Sequence, residues 1–166
     1  MLHLPPYPVF PEIVSEYLVL KQVEPDDIKH LVEISFYDAK PAQTVEEAIV
    51  MQNRINADYQ NGNSIHWCII DKTTREVMGT LGYYRGFTNA TGELGCVLKS
   101  AFRGKGIMGA AIKLAAEFGL NTMGLQKVIA ITTKQNTKAI NLLERLNFIK
   151  TKELGDNELE YHFQKP

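Results

Sequence analysis

Apolar and polar positions fall along the chain in blocks, and each block predicts an element. A proline-broken start, Met1 to Pro11, precedes Glu16 to Gln22 (EYLVLKQ), where Tyr17, Val19 and Lys21 alternate with Leu18 and Leu20 as a first strand requires. Pro25 sits where a helix opens, with Asp26 and Asp27 facing its positive end. Ile28, Leu31, Val32 and Phe36, spaced about one helical turn, supply the apolar stripe of that helix. After a polar connection from Asp38 to Gln43, Thr44-Val45-Glu46-Glu47 forms a capping-box pattern, hydroxyl and carboxylate three residues apart. It starts a second helix that runs to about Tyr59 and ends in the turn residues Asn61-Gly62-Asn63.

Strands dominate next. Ile65 to Asp71 (IHWCIID) and Val77 to Tyr84 (VMGTLGYY) flank the turn Lys72-Thr73-Thr74-Arg75 and predict a hairpin. Gly92 to Leu98 is a third strand, and the apolar run from Ile107 to Leu120 is a buried helix. Lys127 to Thr132 (KVIAIT), short and branched, reads as a fully buried strand. Thr137 to Leu146 places Ala139, Leu142, Leu143 and Leu146 on one helical face. Phe148 to Leu154 and Glu158 to Phe163 close the chain as strands joined by Gly155-Asp156-Asn157. Hairpins pair antiparallel, whereas strand–helix–strand between Gly92 and Thr132 makes one parallel crossover, so the sheet is mixed.

Composition narrows the function classes. The 166 residues, 1–166, fit one domain with a sizeable core better than two small ones. Lys plus Arg number 18 against 19 Asp plus Glu, a balance that gives no global attraction to nucleic acid or to an anionic membrane. No apolar stretch approaches the roughly 18 residues needed to cross a bilayer, and the start carries no Lys or Arg to head a signal peptide. Cys68 and Cys96 make no disulfide framework, and two free thiols suit a reducing compartment; the expectation is a cytoplasmic protein. His3, His30 and His162 have no ligand spacing, so no metal is expected.

Candidate chemistry concentrates at Arg103-Gly104-Lys105-Gly106-Ile107-Met108-Gly109, between a strand and a helix. Three of its glycines match the dinucleotide fingerprint, but that fold needs an acidic residue about 20 positions on. The strand there, Val128 to Thr133, has none, and the preceding elements are hairpins rather than parallel units. The Walker pattern fails as well, because Ala110 follows Gly109 where Lys is required. What remains is a loop whose glycines let successive backbone N–H groups face one concavity, with a helix N-terminus beneath and Arg103 and Lys105 at the rim. Such a cradle suits a diphosphate ester with a long tail; the same residues would also serve as a turn that only caps a buried helix.

Arg103-Gly104-Lys105-Gly106 opening a buried helix resembles the acyl-CoA signature of the GNAT superfamily of N-acetyltransferases, Arg/Gln-x-x-Gly-x-Gly/Ala. Asn136-Thr137-Lys138-Ala139, followed by Leu142 to Phe148, resembles its second signature, and Glu16 to Lys21 with Thr91 to Gly95 resemble the RimJ/RimL-type subgroup. The likeness covers residues 16 to 163. It implies an α/β (α+β) fold, a mixed, mostly antiparallel twisted sheet of about seven strands with about four helices. The fourth and fifth strands, Glu93 to Leu98 and Lys127 to Thr132, would splay apart at one end. The resemblance further implies acetyl-CoA as co-substrate, its pantetheine along the backbone of Cys96, Val97 and Leu98 and its pyrophosphate on the amides of Arg103, Gly104, Lys105, Gly106, Ile107, Met108 and Gly109. Asn136 would hold the pantetheine from the other side.

The expected activity is direct transfer of an acetyl group to a primary amine of a protein N-terminus, a polyamine or a small metabolite. A non-catalytic acyl-CoA-binding sensor is the alternative. Glu93, which the subgroup resemblance puts near the thioester, is the candidate catalytic base, its other reading being an exposed carboxylate that attracts a cationic substrate. The sequence departs from the family at three places: Met108 takes a small-residue position, Asn147 stands for the Gly before Phe148, and Leu143 stands where relatives carry a tyrosine that protonates the leaving thiolate. Leucine cannot donate a proton, so solvent or another residue must. Cys96 is expected to be a small core residue rather than a nucleophile. Of His66 and Trp67, on alternate faces, one should pack in the core and the other face the cleft; Tyr83 and Tyr84 are expected as core or rim packing. The oligomeric state stays open, a homodimer among the options.

Overall fold

In a computed structural model that describes residues 1–165, a two-residue strand, β1 (Ile13–Val14), comes first, and the alternation from residue 16 becomes β2 (Leu18–Gln22). Leu18, Val19 and Leu20 are all buried, so β2 is covered on both faces. Leu18 and Leu20 enter a large apolar cluster, and Val19 enters a smaller one on the opposite face.

The expected helix from Pro25 to Phe36 is instead two 3-10 turns, Pro25–His30 and Val32–Ile34. The residues they bury are Ile28, Leu31 and Ile34, spaced by three, which is the 3-10 period. The expected stripe through Val32 and Phe36 assumed 3.6 residues per turn. Phe36 is half exposed and begins a small hairpin of β3 (Phe36–Tyr37) and β4 (Lys40–Pro41). Its two-residue turn, Asp38-Ala39, has φ of 50° and 60°, the doubly left-handed geometry of a tight hairpin.

The next helix, α1 (Val45–Gln60), starts where the capping box predicts. Thr44 Oγ1 accepts the Glu47 N–H at 3.2 Å, while the Glu47 carboxylate accepts the Gln43 N–H at 2.6 Å, one residue further out than the expected pairing. The strands β5 (Ile65–Asp71) and β6 (Val77–Tyr84) form the predicted hairpin, followed by β7 (Thr91–Leu98), α2 (Ile107–Asn121), β8 (Lys127–Thr133), α3 (Thr137–Arg145), β9 (Phe148–Glu153) and β10 (Glu158–Phe163).

Among the described residues eight strands make one sheet in the order β1-β2-β5-β6-β7-β8-β10-β9, one more than expected because Ile13–Val14 adds an edge. Every pairing is antiparallel except β7 with β8. That parallel pair holds for three residues only, Thr91↔Lys127, Gly92↔Val128 and Glu93↔Ile129. Beyond them β7 pairs on to β6 as far as Leu98, and β8 pairs on to β10 as far as Thr133. The two strands therefore part at Glu93, as the expected splay requires.

The larger cluster lies between the sheet and α2 with α3, through Ala111, Ile112, Ala115 and Leu143. The smaller one joins Ala48 of α1 and the 3-10 residues to Cys68 and Ile70. Trp67, fully buried, donates its indole N–H to the Pro11 carbonyl at 2.9 Å, and Phe10 packs on Tyr59 and Trp67 with ring centroids 5.4 and 6.4 Å away. The N-terminal arm is thereby part of the core wall. Burying aromatic surface of this kind is a leading source of stability in a domain this size.

Candidate functional site

A cleft of about 1030 Å³ opens where β7 leaves β8. Its lining comes from both faces of the sheet. Met108, Ile112, Ala139, Leu142 and Leu143 approach from the α2–α3 side; His66, Tyr84, Glu93 and Asp58 approach from the α1 side. The splay is what lets one cleft pass between the two faces.

The glycine loop stands at one end. Gly104 and Gly106 have φ of 74° and 79°, and an added Cβ at either would meet nothing within 4 Å. What glycine supplies here is the left-handed backbone, not room. The first hydrogen bond of α2 runs from the Ala110 N–H to the Gly106 carbonyl at 3.3 Å, so the amides of Ile107, Met108 and Gly109 have no partner within the helix. Gly109 is buried, and a Cβ there would come 3.3 Å from Leu142, so its lack of a side chain lets α3 sit close to α2.

Charge at the loop differs in detail from expectation. Arg103 turns back, its Nε–H donating to the Leu98 carbonyl at 3.2 Å, and so ties the loop to the end of β7. Lys105 and Lys99 lie over the Phe102 ring, their Nζ atoms 5.8 and 5.9 Å from its centroid. Lys99 is a third cation at this loop that the glycine pattern did not single out. Met108 is the loop residue that also lines the cleft.

Along β7, Cys96 and Val97 line the cleft while the Leu98 side chain is buried in the core. With β8 gone from their side, alternate backbone groups of residues 94–98 face the gap. Burial pushes the Cys96 thiol up to about 12, which keeps it protonated and poorly nucleophilic. Across the cleft Asn136 caps α3, its Oδ1 accepting the Ala139 N–H at 3.1 Å. It is exposed rather than buried, and its acceptor is committed to the helix, leaving the amide NH₂ free to donate. Leu143 is buried and lines the cleft from α3.

Glu93 occupies the last position of the parallel pair. Its Oε1 stands 3.4 Å from Nη1 of the exposed Arg85. Partial burial raises its pKa, against the lowering effect of Arg85 and with a further push from Glu158 and Glu160. A carboxylate held above its ordinary range is a better proton acceptor near neutral pH than a free one.

Two neighbouring pairs of side chains with unsettled expectations take definite places. Trp67 and Tyr83 go to the core, the Tyr83 hydroxyl donating to the Ala115 carbonyl at 2.8 Å. His66 and Tyr84 face the cleft instead, with His66 Nδ1 and the Tyr84 hydroxyl 2.7 Å apart. The sequence leaves open which of His66 and Trp67 faces the cleft, and gives Tyr84 only as core or rim packing. The signal was present only as strand alternation, which assigns each to the face opposite its buried neighbour.

A family model described as the acetyltransferase (GNAT) domain matches residues 17–149. YoaA, an uncharacterised N-acetyltransferase of Bacillus subtilis (strain 168), is 24% identical over 150 residues, 86% of this chain and 85% of that protein. The uncharacterised N-acetyltransferase p20 of Bacillus licheniformis is 29% identical over 154 residues, 88% and 86% of the two chains. Among solved structures, spermidine N-acetyltransferase from Vibrio cholerae, a dodecamer, superposes with a TM-score of 0.72 at 17% identity, over 89% of this chain and 92% of that one.

Proposed function

Because the chain belongs to the acetyltransferase (GNAT) domain family, we propose that it moves the acetyl group of acetyl-CoA directly to a primary amine in a ternary complex. The observation that carries this reading is the parting of β7 from β8 at Glu93, with the unpaired amides at the start of α2 at one end of the resulting cleft.

The residues present fit the co-substrate. The amides from Gly104 to Gly109, the positive end of α2 and the cations Lys99, Arg103 and Lys105 suit a pyrophosphate. The free backbone around Cys96, Val97 and Leu98 suits the amide-bearing pantetheine arm, and the Asn136 NH₂ can donate to it from the opposite wall. In the reaction the amine nitrogen bonds to the acetyl carbon and the carbon–sulfur bond breaks, its electron pair leaving on sulfur. The proton shed by nitrogen passes to Glu93, directly or through water, and reaches the sulfur by way of solvent, since Leu143 has none to give.

The RimJ/RimL-type placement rests on the residues from Glu16 to Lys21 and from Thr91 to Gly95, and favours an N-terminal α-amine. Relatives named as spermidine N-acetyltransferases bring polyamines into the same panel. Two thiols left unpaired, Cys68 and Cys96, suit the reducing cytoplasm. The deciding experiment mixes the protein with acetyl-CoA and a panel of peptide N-termini, polyamines and small amines, and measures thiol release. Release with any amine supports the transferase. Acetyl-CoA binding by calorimetry with no release from any amine would assign an acyl-CoA sensor instead.

A further inference from the structure

We propose that Tyr84, oriented by His66, holds the acceptor amine in its uncharged form, with the phenolic oxygen accepting one of its N–H groups. The inference rests on the transferase reading above and adds to it a catalytic residue and a positioning residue.

The placement of the ring is built into three strands. His66, Gly82 and Gly95 stand side by side in register on β5, β6 and β7. A Cβ at Gly82 would come 2.8 Å from Tyr84 Cζ and 2.9 Å from its hydroxyl, and a Cβ at Gly95 would come 3.1 Å from Cε2. Tyr84 therefore lies folded down over two glycines, on the α1 side of the cleft floor, and its hydroxyl ends 2.7 Å from His66 Nδ1. Tyr84 is also the register partner of Glu93, so the tyrosine and the carboxylate share one face of adjacent strands. Leu143 lines the cleft from the other side of the sheet, so this pair does not replace the tyrosine missing there.

The protonation of the pair limits how its hydrogen bond can run. Burial lowers the His66 pKa to about 4, and burial raises that of Tyr84 above its ordinary value. Both groups are neutral at neutral pH. A neutral imidazole keeps one unprotonated nitrogen; with Nδ1 in that role, as the proposal requires, the hydroxyl donates to it and the lone pairs of the phenolic oxygen are left for the amine.

The chemistry favours such a group. An amine must attack with its lone pair, so it must be bound without its extra proton. A carboxylate touching the nitrogen would stabilise the ammonium form and raise its pKa, which opposes reaction. A neutral oxygen holds the free amine and directs its lone pair without that penalty. Glu93, already paired with Arg85 and one water removed from the nitrogen, then takes through that water the proton that the nitrogen sheds as the carbon–nitrogen bond forms.

The test combines kinetics with a spectroscopic measurement on the unloaded protein. Tyr84→Phe keeps the ring on its glycine seat and removes only the oxygen. It should lower kcat/KM for the amine roughly 10- to 100-fold, with acetyl-CoA affinity unchanged by calorimetry. His66→Gln, whose amide oxygen can accept the hydroxyl, should retain more activity than His66→Leu. Nitrogen-15 NMR of the unloaded protein should find His66 Nδ1 unprotonated and Nε2 protonated. A proton on Nδ1, or wild-type amine kinetics in Tyr84→Phe, overturns the pair while leaving the transferase reading intact. Absence of thiol release from the wild-type protein with every amine overturns both.

Discussion

Glu93 is the last residue of β7 to stand in register with β8, opposite Ile129, and one position later the two strands have separated. The candidate base thus sits at the apex of the gap that would receive the thioester. The parallel pairing behind it, from Thr91 to Glu93, fixes its backbone, and Arg85 and Tyr84 flank it on the turn and on β6. A carboxylate at this point is held by the sheet and still reached from the cleft.

Replacing Glu93 with Gln preserves shape and removes the proton acceptor. Turnover should fall roughly 100-fold or more, while acetyl-CoA affinity, which the proposed site assigns to the loop and the strand beyond, should change less than about twofold. Steady-state kinetics with calorimetry in parallel checks this. A variant with unaltered turnover across pH would remove Glu93 from the mechanism.

Gly106 makes a separable prediction, because its Cβ space is open and only its φ of 79° demands glycine. Gly106→Ala should lower stability by about 1 kcal/mol, a melting shift of about 2–4 °C for a chain of this length. It should also weaken acetyl-CoA several-fold by turning the amides of the cradle. Gly106→Asn, better suited to the left-handed region, should lose less on both measures. Scanning fluorimetry with and without acetyl-CoA separates the two effects.

Much of this arrangement was legible in the sequence, for identifiable reasons. The β5–β6 hairpin and the glycine loop carry local signals, alternation around a turn and glycines before an apolar helix, and both lie where those signals put them. The segment from Pro25 to Ile34 is ambiguous in sequence because Ile28 and Leu31 fit a 3.6 period and a 3.0 period equally well; Ile34, buried, decides for the latter. His66 and Tyr84 meet only because three strands bring Gly82 and Gly95 beneath the ring, a relation between residues 18 apart that no local pattern encodes.

The N-terminal arm gives a prediction about stability. Trp67 is the single tryptophan, and its walls include Phe10 and the Pro11 carbonyl. Phe10→Ala should cost about 2 kcal/mol, below the range for a fully buried ring because Phe10 is partly exposed. Its emission should shift to the red as water reaches the indole. Chemical denaturation followed by tryptophan fluorescence reads both at once, and an unshifted native spectrum would show that the arm does not shield Trp67.

The Arg85–Glu93 pair ties the pH dependence to one exposed cation. As the proposed base, Glu93 would act only when ionised, so activity should fall as pH drops through its pKa, which burial places above the ordinary carboxylate range. Arg85 opposes that rise by favouring the ionised form, whereas Glu158 and Glu160 reinforce it. Arg85→Ala should therefore raise the Glu93 pKa further and move the acidic limb of the kcat/KM profile to higher pH. Arg85→Lys, which keeps the charge, should leave the limb close to wild type. Because the guanidinium is largely exposed, with 76% of its side-chain surface open, the interaction is screened by salt. Raising the salt concentration should shift the wild-type limb in the same direction as Arg85→Ala and shift the variant less. A limb that stays put in Arg85→Ala at low salt would mean that another group sets the acidic side of the profile.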